Sequence, residues 1–200
     1  MPESIICPIP PSPAKVLVTG AFPTGKTTLC RQLKSLLEQN EIAVALVSEV
    51  PRRCPLPLNR DQTPLASAWL IGEQIRAEAE AATIGTPDVV VCDRGLPDII
   101  SHTFVLREDN PNWAAAIDLL VEMSVSWCRT YTAVWWARAA PCLPIEADGV
   151  RLADKDFQRT PESSLKLALG MLGIAHQELP SQTNARVSLI ADRIRSLVRR

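Results

Sequence analysis

Gly20-Ala21-Phe22-Pro23-Thr24-Gly25-Lys26-Thr27 spells a complete G-x-x-x-x-G-K-[ST] pattern, and Thr28 follows it directly. These residue types suit a polyphosphate. Gly20 and Gly25 let the backbone wrap so that its N–H groups face phosphate oxygens. Lys26 supplies a point charge that reaches the β- and γ-phosphates, and the Thr27 hydroxyl is a ligand for Mg²⁺. Such a pattern carries weight only between a strand and a helix. Val16-Leu17-Val18-Thr19 precedes it as a short β-branched apolar stretch. From Thr28 to Asn40, Leu29, Leu33, Leu36 and Leu37 fall at helical spacing. The positive end of that helix adds to the anion site. A nucleoside triphosphate is expected on residues 20–28. Phe22-Pro23 makes the loop bulky, and Pro23 removes one backbone donor from it.

Three further groups of residues fall where strands end. Glu49 follows an apolar run, Ile42 to Val47, with Arg52 and Arg53 close by. A carboxylate there can take a proton from an attacking hydroxyl or hold a magnesium-bound water; the plainer alternative is a solvated acid paired to an arginine. Asp93-Arg94 ends the run Asp88 to Cys92. An acid in that place after a phosphate loop helps hold Mg²⁺, and the Arg94 fork suits phosphate oxygens. Asp98 reads as a cap for a helix from Ile99 onward. Asp148-Gly149-Val150-Arg151 through Arg159 lies in a Pro-bounded stretch, 139–161. Its arginines suit closure over a triphosphate, or else they are ordinary surface charges beside Asp154, Lys155 and Asp156. Trp69 and Gln74 offer an aromatic face and an amide to a base or nicotinamide ring, and core packing explains Trp69 as well. His102 and His176 have no nucleophile or metal partner at a telling spacing and read as structural.

The elements that must position these groups alternate. Strands are expected at Val16–Thr19, Ile42–Val47 (apolar throughout, hence buried), Asp88–Asp93, Thr132–Ala137 and Ile174–Leu179. Helices are expected at Thr28–Asn40, Thr63–Ile84, Trp113–Thr130, Ser163–Leu172 and Asn184–Arg199. The connection through Pro51, Pro55, Pro57 and Pro64 is long and irregular, which a compact domain usually keeps for function. Strands alternating with helices predict an α/β fold, a parallel sheet of about five strands with helices on both faces. Ligands then bind beyond the carboxyl ends of the strands.

Two hundred residues accommodate one such domain, expected over 15–200 after a flexible Pro-rich leader at 1–14. A net charge of −1 gives no general reason to bind nucleic acid or an anionic membrane. The six cysteines are scattered without a C-x-x-C pair, which argues against zinc. With no signal pattern and no apolar run of spanning length, the chain reads as cytoplasmic.

Together, Thr19 through Thr28, Ser48-Glu49 with Arg52, Asp93-Arg94-Gly95-Leu96-Pro97-Asp98, and Asp148 to Arg151 with Arg159 resemble the P-loop kinases of nucleosides and nucleotides. The similarity is to the nicotinamide-riboside kinase domain of the bacterial NAD-biosynthesis regulator and its small AAA-labelled relatives. It implies a P-loop NTPase three-layer sandwich with an arginine-bearing lid at about 139–161, using Mg-ATP. It also implies phosphoryl transfer to a hydroxyl of a small nucleoside-like or nucleotide acceptor. Lys26, Glu49, Asp93, Arg94, Arg151 and Arg159 would serve the chemistry, with Thr27 and Asp93 on Mg²⁺. Residues 20–28 would hold ATP, and Glu49, Arg52, Trp69 and Gln74 the acceptor. A homodimer is the one macromolecular partner expected. The reading from another class is an NTP-hydrolysing regulatory ATPase, a switch acting on a macromolecule; the sequence holds no N-K-x-D guanine-reading tetrapeptide.

Overall fold

A computed structural model of the chain describes residues 12–20, 24–48, 50–138 and 162–198. Along them run β1 (Ala14–Thr19), α1 (Lys26–Glu38), β2 (Val44–Val47), α2 (Pro64–Thr83), β3 (Val89–Asp93), α3 (Leu96–Asp109), α4 (Ala114–Cys128), β4 (Ala133–Trp136), α5 (Glu162–Met171), β5 (Gln177–Glu178) and α6 (Thr183–Val198). The strands form one sheet in the order β2-β3-β1-β4-β5. All four pairings are parallel, with Val16 opposite Val91 on one side of β1 and Val18 opposite Trp135 on the other.

Period-two alternation along the strands sorts their side chains into two layers. Val16 and Val18 of β1, Val89 and Val91 of β3, and Trp135 pack against Leu29, Leu33 and Leu37 of α1 and Ile190, Ala191 and Ile194 of α6. The alternate residues, Leu17, Val90, Cys92 and Val134, meet Leu70 and Ile71 of α2, Ile100 and Phe104 of α3, and Ile117 and Leu120 of α4 on the opposite face. Helices therefore cover both faces, giving the three-layer α/β sandwich. Central strands buried on both sides need the continuous apolar runs the sequence shows.

The chain leaves β1, skips a place to lay down β2, returns with β3, and then crosses to the other side of β1 with β4. The carboxyl end of β1 thus lies at the point where strand order reverses, the place where open α/β sheets bind ligands.

Several boundaries differ from the sequence expectation. β1 begins at Ala14, inside the stretch read as a leader, because the Ala14 N–H reaches the Asp88 carbonyl and Lys15 finds a buried partner. β2 starts at Val44, since the Ile42 N–H is spent on the Leu37 carbonyl that closes α1. It is an edge strand, so Ala45 and Leu46 are only half-buried, where a fully buried strand was expected. The irregular connection holds two short 3-10 turns, Val50–Arg53 and Asn59–Asp61. α3 begins at Leu96, three residues before Ile99. β5 shrinks to two exposed residues, Gln177 and Glu178, with too little apolar side chain to extend the edge. The stretch 139–161, with Arg151 and Arg159, lies outside the described residues, as do Ala21, Phe22, Pro23 and Glu49. No helix among the described residues is long and apolar enough to cross a membrane.

Candidate nucleotide site

β1 delivers the chain to Gly20, where the sheet leaves no room for a side chain. A Cβ at Gly20 would lie 2.2 Å from the Ala137 carbonyl oxygen, while the Ala137 N–H bonds to the Thr19 carbonyl at 2.8 Å. Gly25 is the N-cap of α1 in the left-handed region (φ 72°), a conformation that favours glycine. The helix consequently begins at Lys26, two residues earlier than its leucine stripe suggests. Lys26 and Thr27 sit in its first turn, where backbone N–H groups lack intrahelical partners.

Lys26 is 3% exposed. Its Nζ donates to the Gly20 carbonyl at 2.6 Å and to Thr24 Oγ1 at 2.9 Å. Burial, and then the Arg94 guanidinium, bring its pKa down from 10.5 to about 7, against the opposing pull of Asp98 and Asp93. The buried Lys26 ammonium and the neighbouring Arg94 guanidinium are two like charges whose mutual repulsion an anion would relieve.

β3 delivers Asp93 and Arg94 beside β1. Val18 lies opposite Asp93, and the Arg94 N–H continues the ladder to the Val18 carbonyl at 3.0 Å. Asp93 is buried and its Oδ1 has no hydrogen-bond partner among the described residues. A buried carboxylate oxygen without a donor is costly unless a cation or its water completes it. The donor set therefore fits Mg²⁺, a hard cation that takes carboxylate and hydroxyl oxygens, with Thr27 and Asp93 as the residues to hold it. Arg94 adopts φ +74°, an uncommon and strained conformation for a side-chain-bearing residue.

Asp98 does more than cap a helix. Its Oδ2 accepts from the Gly95 N–H (3.0 Å) in the first turn of α3 and from Thr19 Oγ1 (2.8 Å) at the end of β1. Its Oδ1 takes a long bond from the Gly20 N–H (3.4 Å) and faces Arg94 Nη1 at 3.8 Å. One carboxylate thus ties the mouth of the phosphate loop to the Asp93-Arg94 turn.

Of the residues expected to hold an acceptor, Arg52 is exposed in the turn after β2, and Trp69 is half-buried against the α2–α4 core. Gln74 is 4% exposed and points inward, its Nε2 donating to Glu78 Oε1 (2.9 Å) and to the Arg94 carbonyl (3.3 Å). Both hydrogens of that nitrogen are committed within the protein. Two important side chains escaped the sequence reading. Glu78 is buried at the centre of a polar cluster, and its signal was legible as a charge on the buried stripe of α2, four residues after Gln74. Arg186 of α6 is 4% exposed and donates to the Thr24 carbonyl (3.1 Å) and the Pro180 carbonyl (2.6 Å). No local pattern announces it.

Fold and loop define the class: an α/β P-loop protein with its glycine loop at the carboxyl end of β1. The model of the AAA domain family matches residues 15–186, and the chain belongs to that family. No curated protein matches it in sequence. Among solved structures it is similar to a NadR protein in complex with NR, at TM-score 0.64 and 14% identity over 92% of this chain and 50% of that one. It is also similar to a deoxyadenosine kinase from M. mycoides with dCMP and dCDP bound, at TM-score 0.58 and 11% identity over 91% and 99% of the two chains. A thymidylate kinase from Candida albicans gives TM-score 0.59 and 12% identity over 93% and 92%. The chain spans about half the length of the NadR chain it matches. These likenesses establish the fold, that of the P-loop nucleoside and nucleotide kinases.

Proposed function

We propose that the protein transfers the γ-phosphoryl group of Mg-ATP to a hydroxyl of a small nucleoside-like or nucleotide acceptor. The observation that carries this reading is the pairing at the strand ends: the buried Lys26 ammonium, held on the loop by the Gly20 carbonyl and Thr24 Oγ1, and, on the neighbouring strand, an Asp93 oxygen without a donor among the described residues. Both suit a Mg-triphosphate, and transfer to a small acceptor is the reading that the fold shared with the kinases supports. The acceptor oxygen forms a bond to the γ-phosphorus as the bond to the β,γ-bridging oxygen breaks, ADP leaves, and the hydroxyl proton passes to Glu49. Thr27 and Asp93 would hold Mg²⁺, which would supply charge neutralisation. Lys26 and Arg94 stabilise charge that builds on the phosphoryl oxygens, with Arg151 and Arg159 added from the lid. Arg52 and Trp69 line the acceptor side, whereas Gln74, expected there from the sequence, is turned inward to Glu78 and the Arg94 carbonyl. These roles fit the fold shared with the kinases above and the order of the motifs along the chain.

The test is a panel of nucleosides and nucleotides, scored for acceptor-dependent ADP release from Mg-ATP. One small acceptor is expected to raise turnover at least tenfold above the acceptor-free rate, and Lys26→Ala to abolish the increase. ATP turnover that answers only to a macromolecule would replace the kinase reading with a regulatory ATPase.

A further inference from the structure

Beneath the Arg94-Gly95 turn lies a carboxylate with no outlet to solvent. Glu78 is 1% exposed. Its Oε2 accepts from Lys15 Nζ and Trp127 Nε1, each at 2.7 Å, and its Oε1 from Tyr131 Oη at 2.7 Å and Gln74 Nε2 at 2.9 Å. The ammonium of Lys15 also lies over the rings of Trp127 (4.2 Å) and Tyr131 (4.7 Å). Four donors fill the four acceptor sites of a carboxylate, so this buried ion pair is satisfied where a lone one would be costly. A leucine-like residue would serve a purely packing role at lower desolvation cost. What the cluster provides in addition is direction.

Two of its four donors touch the catalytic turn. The Gln74 amide nitrogen, fixed by Glu78, places its second hydrogen on the Arg94 carbonyl. Tyr131 Oη, fixed by the same oxygen, packs where a Cβ on Gly95 would come within 2.7 Å. The peptide unit joining Arg94 to Gly95 is therefore gripped at both ends, its carbonyl by Gln74 and its N–H by Asp98 Oδ2. That peptide unit follows the residue at φ +74°, a conformation that persists only when its surroundings over-determine it.

We infer that Glu78, acting through Gln74 and Tyr131, is a positioning residue that holds the left-handed Arg94-Gly95 turn and so aims the Arg94 guanidinium at the phosphoryl group. The inference rests on the kinase reading for the role of Arg94, but the hold on the turn is independent of it. Gln74→Met keeps the length of the side chain and removes the amide. The expected result is at least tenfold faster amide exchange at Gly95, with the exchange of α1 and β1 unchanged. Turnover is measured as ADP release from Mg-ATP with the acceptor found by the panel, or without acceptor where none is found. It is expected to fall about tenfold, while the Kd of a non-hydrolysable ATP analogue changes less than twofold. In an Arg94→Met background the same substitution should cost less than twofold, because both act through one guanidinium. Losses that multiply in the double variant, or an unaltered Gly95 exchange rate, would overturn the inference. Full turnover in Arg94→Met alone counts against the kinase role of Arg94, and the Gly95 exchange then decides the positioning role by itself. Tyr131→Phe, which removes only the hydroxyl, gives the same two readouts should Gln74→Met fail to fold.

Discussion

Two glycines of this chain carry opposite consequences for the same change. At Gly20 a methyl group would press on the Ala137 carbonyl, a backbone atom held in place by the Ala137–Thr19 hydrogen bond. Gly20→Ala is expected to lower stability by about 1–3 kcal/mol through overpacking and to weaken ATP binding at least tenfold, measured by urea unfolding and calorimetric titration. Gly72 lies exposed in the middle of α2 with nothing near its Cβ position. Gly72→Ala should stabilise by about 0.5–1 kcal/mol, since alanine gives up less backbone entropy in a helix, and leave nucleotide affinity unchanged. His102 supplies the pH dependence. Burial is the main cause that lowers its pKa from 6.5 to about 4, against a backbone hydrogen bond at Asn59 that favours the charged form. The folded protein therefore holds the ring neutral while the unfolded chain takes up a proton below about pH 6.5. This contribution is fully present above pH 6.5 and is lost as pH falls toward 4. Between pH 7 and 5, His102→Gln should lose about 2 kcal/mol less stability than the parent; equal losses in the two proteins would rule the group out.

Helix starts decide where the functional side chains stand, and they are also where sequence reading slipped. The leucine stripe of α1 was plain, but a stripe cannot show that Gly25 turns left-handed and admits Lys26 and Thr27 to the first turn. α3 was missed at its first three residues because Leu96 and Pro97 continue an apolar run from β3 across a tight turn. That slip hid Asp98, which looked like a cap and is also the strut to Thr19 and Gly20. The difference is testable against an ordinary cap. Thr63 caps α2 with a 3.4 Å bond to the Ala66 N–H, so Thr63→Ala should cost about 0.5–1 kcal/mol with ATP affinity intact. Asp98→Ala removes an acceptor from α3, β1 and the loop at once, and should cost about 2–3 kcal/mol as a half-buried carboxylate serving several donors. It should also weaken ATP binding at least fivefold. Equal nucleotide affinity in the two variants would return Asp98 to a purely local role. The strands were read well where they are central, since β1 and β3 need apolar residues on both faces. They were read poorly at the edges, where half-burial at β2 and exposure at β5 relax the pattern.

At the scale of the molecule, the phosphate loop is joined to parts of the chain that no window of sequence connects. Alternation of strands and helices announced the layers and the parallel sheet. Strand order and long-range contacts were not legible, because they depend on which elements meet after the crossovers. Arg186 shows the consequence. Its guanidinium, buried in α6, links the Thr24 carbonyl across 162 residues of sequence and the Pro180 carbonyl after β5. Burial lowers its pKa. A guanidinium desolvated for two carbonyls is retained only where the connection matters, because its burial costs free energy that two neutral acceptors only partly offset. The link makes α6 a brace for the loop, so nucleotide binding should tighten the helix as well. At a hundredfold excess of Mg-ATP over its Kd, linkage stabilises the fold by about 2.7 kcal/mol, roughly 5–10 °C in Tm for a chain of this size. Amide exchange in the first turns of α6 should slow together with that of α1. Arg186→Met preserves the aliphatic stem against the core and removes the donors. It should uncouple the two helices: Mg-ATP still slows exchange in α1, α6 no longer responds, and the ATP Kd rises about five- to twentyfold. Continued slowing of α6 in Arg186→Met would mean that the helix senses nucleotide through its apolar contacts with α1 instead.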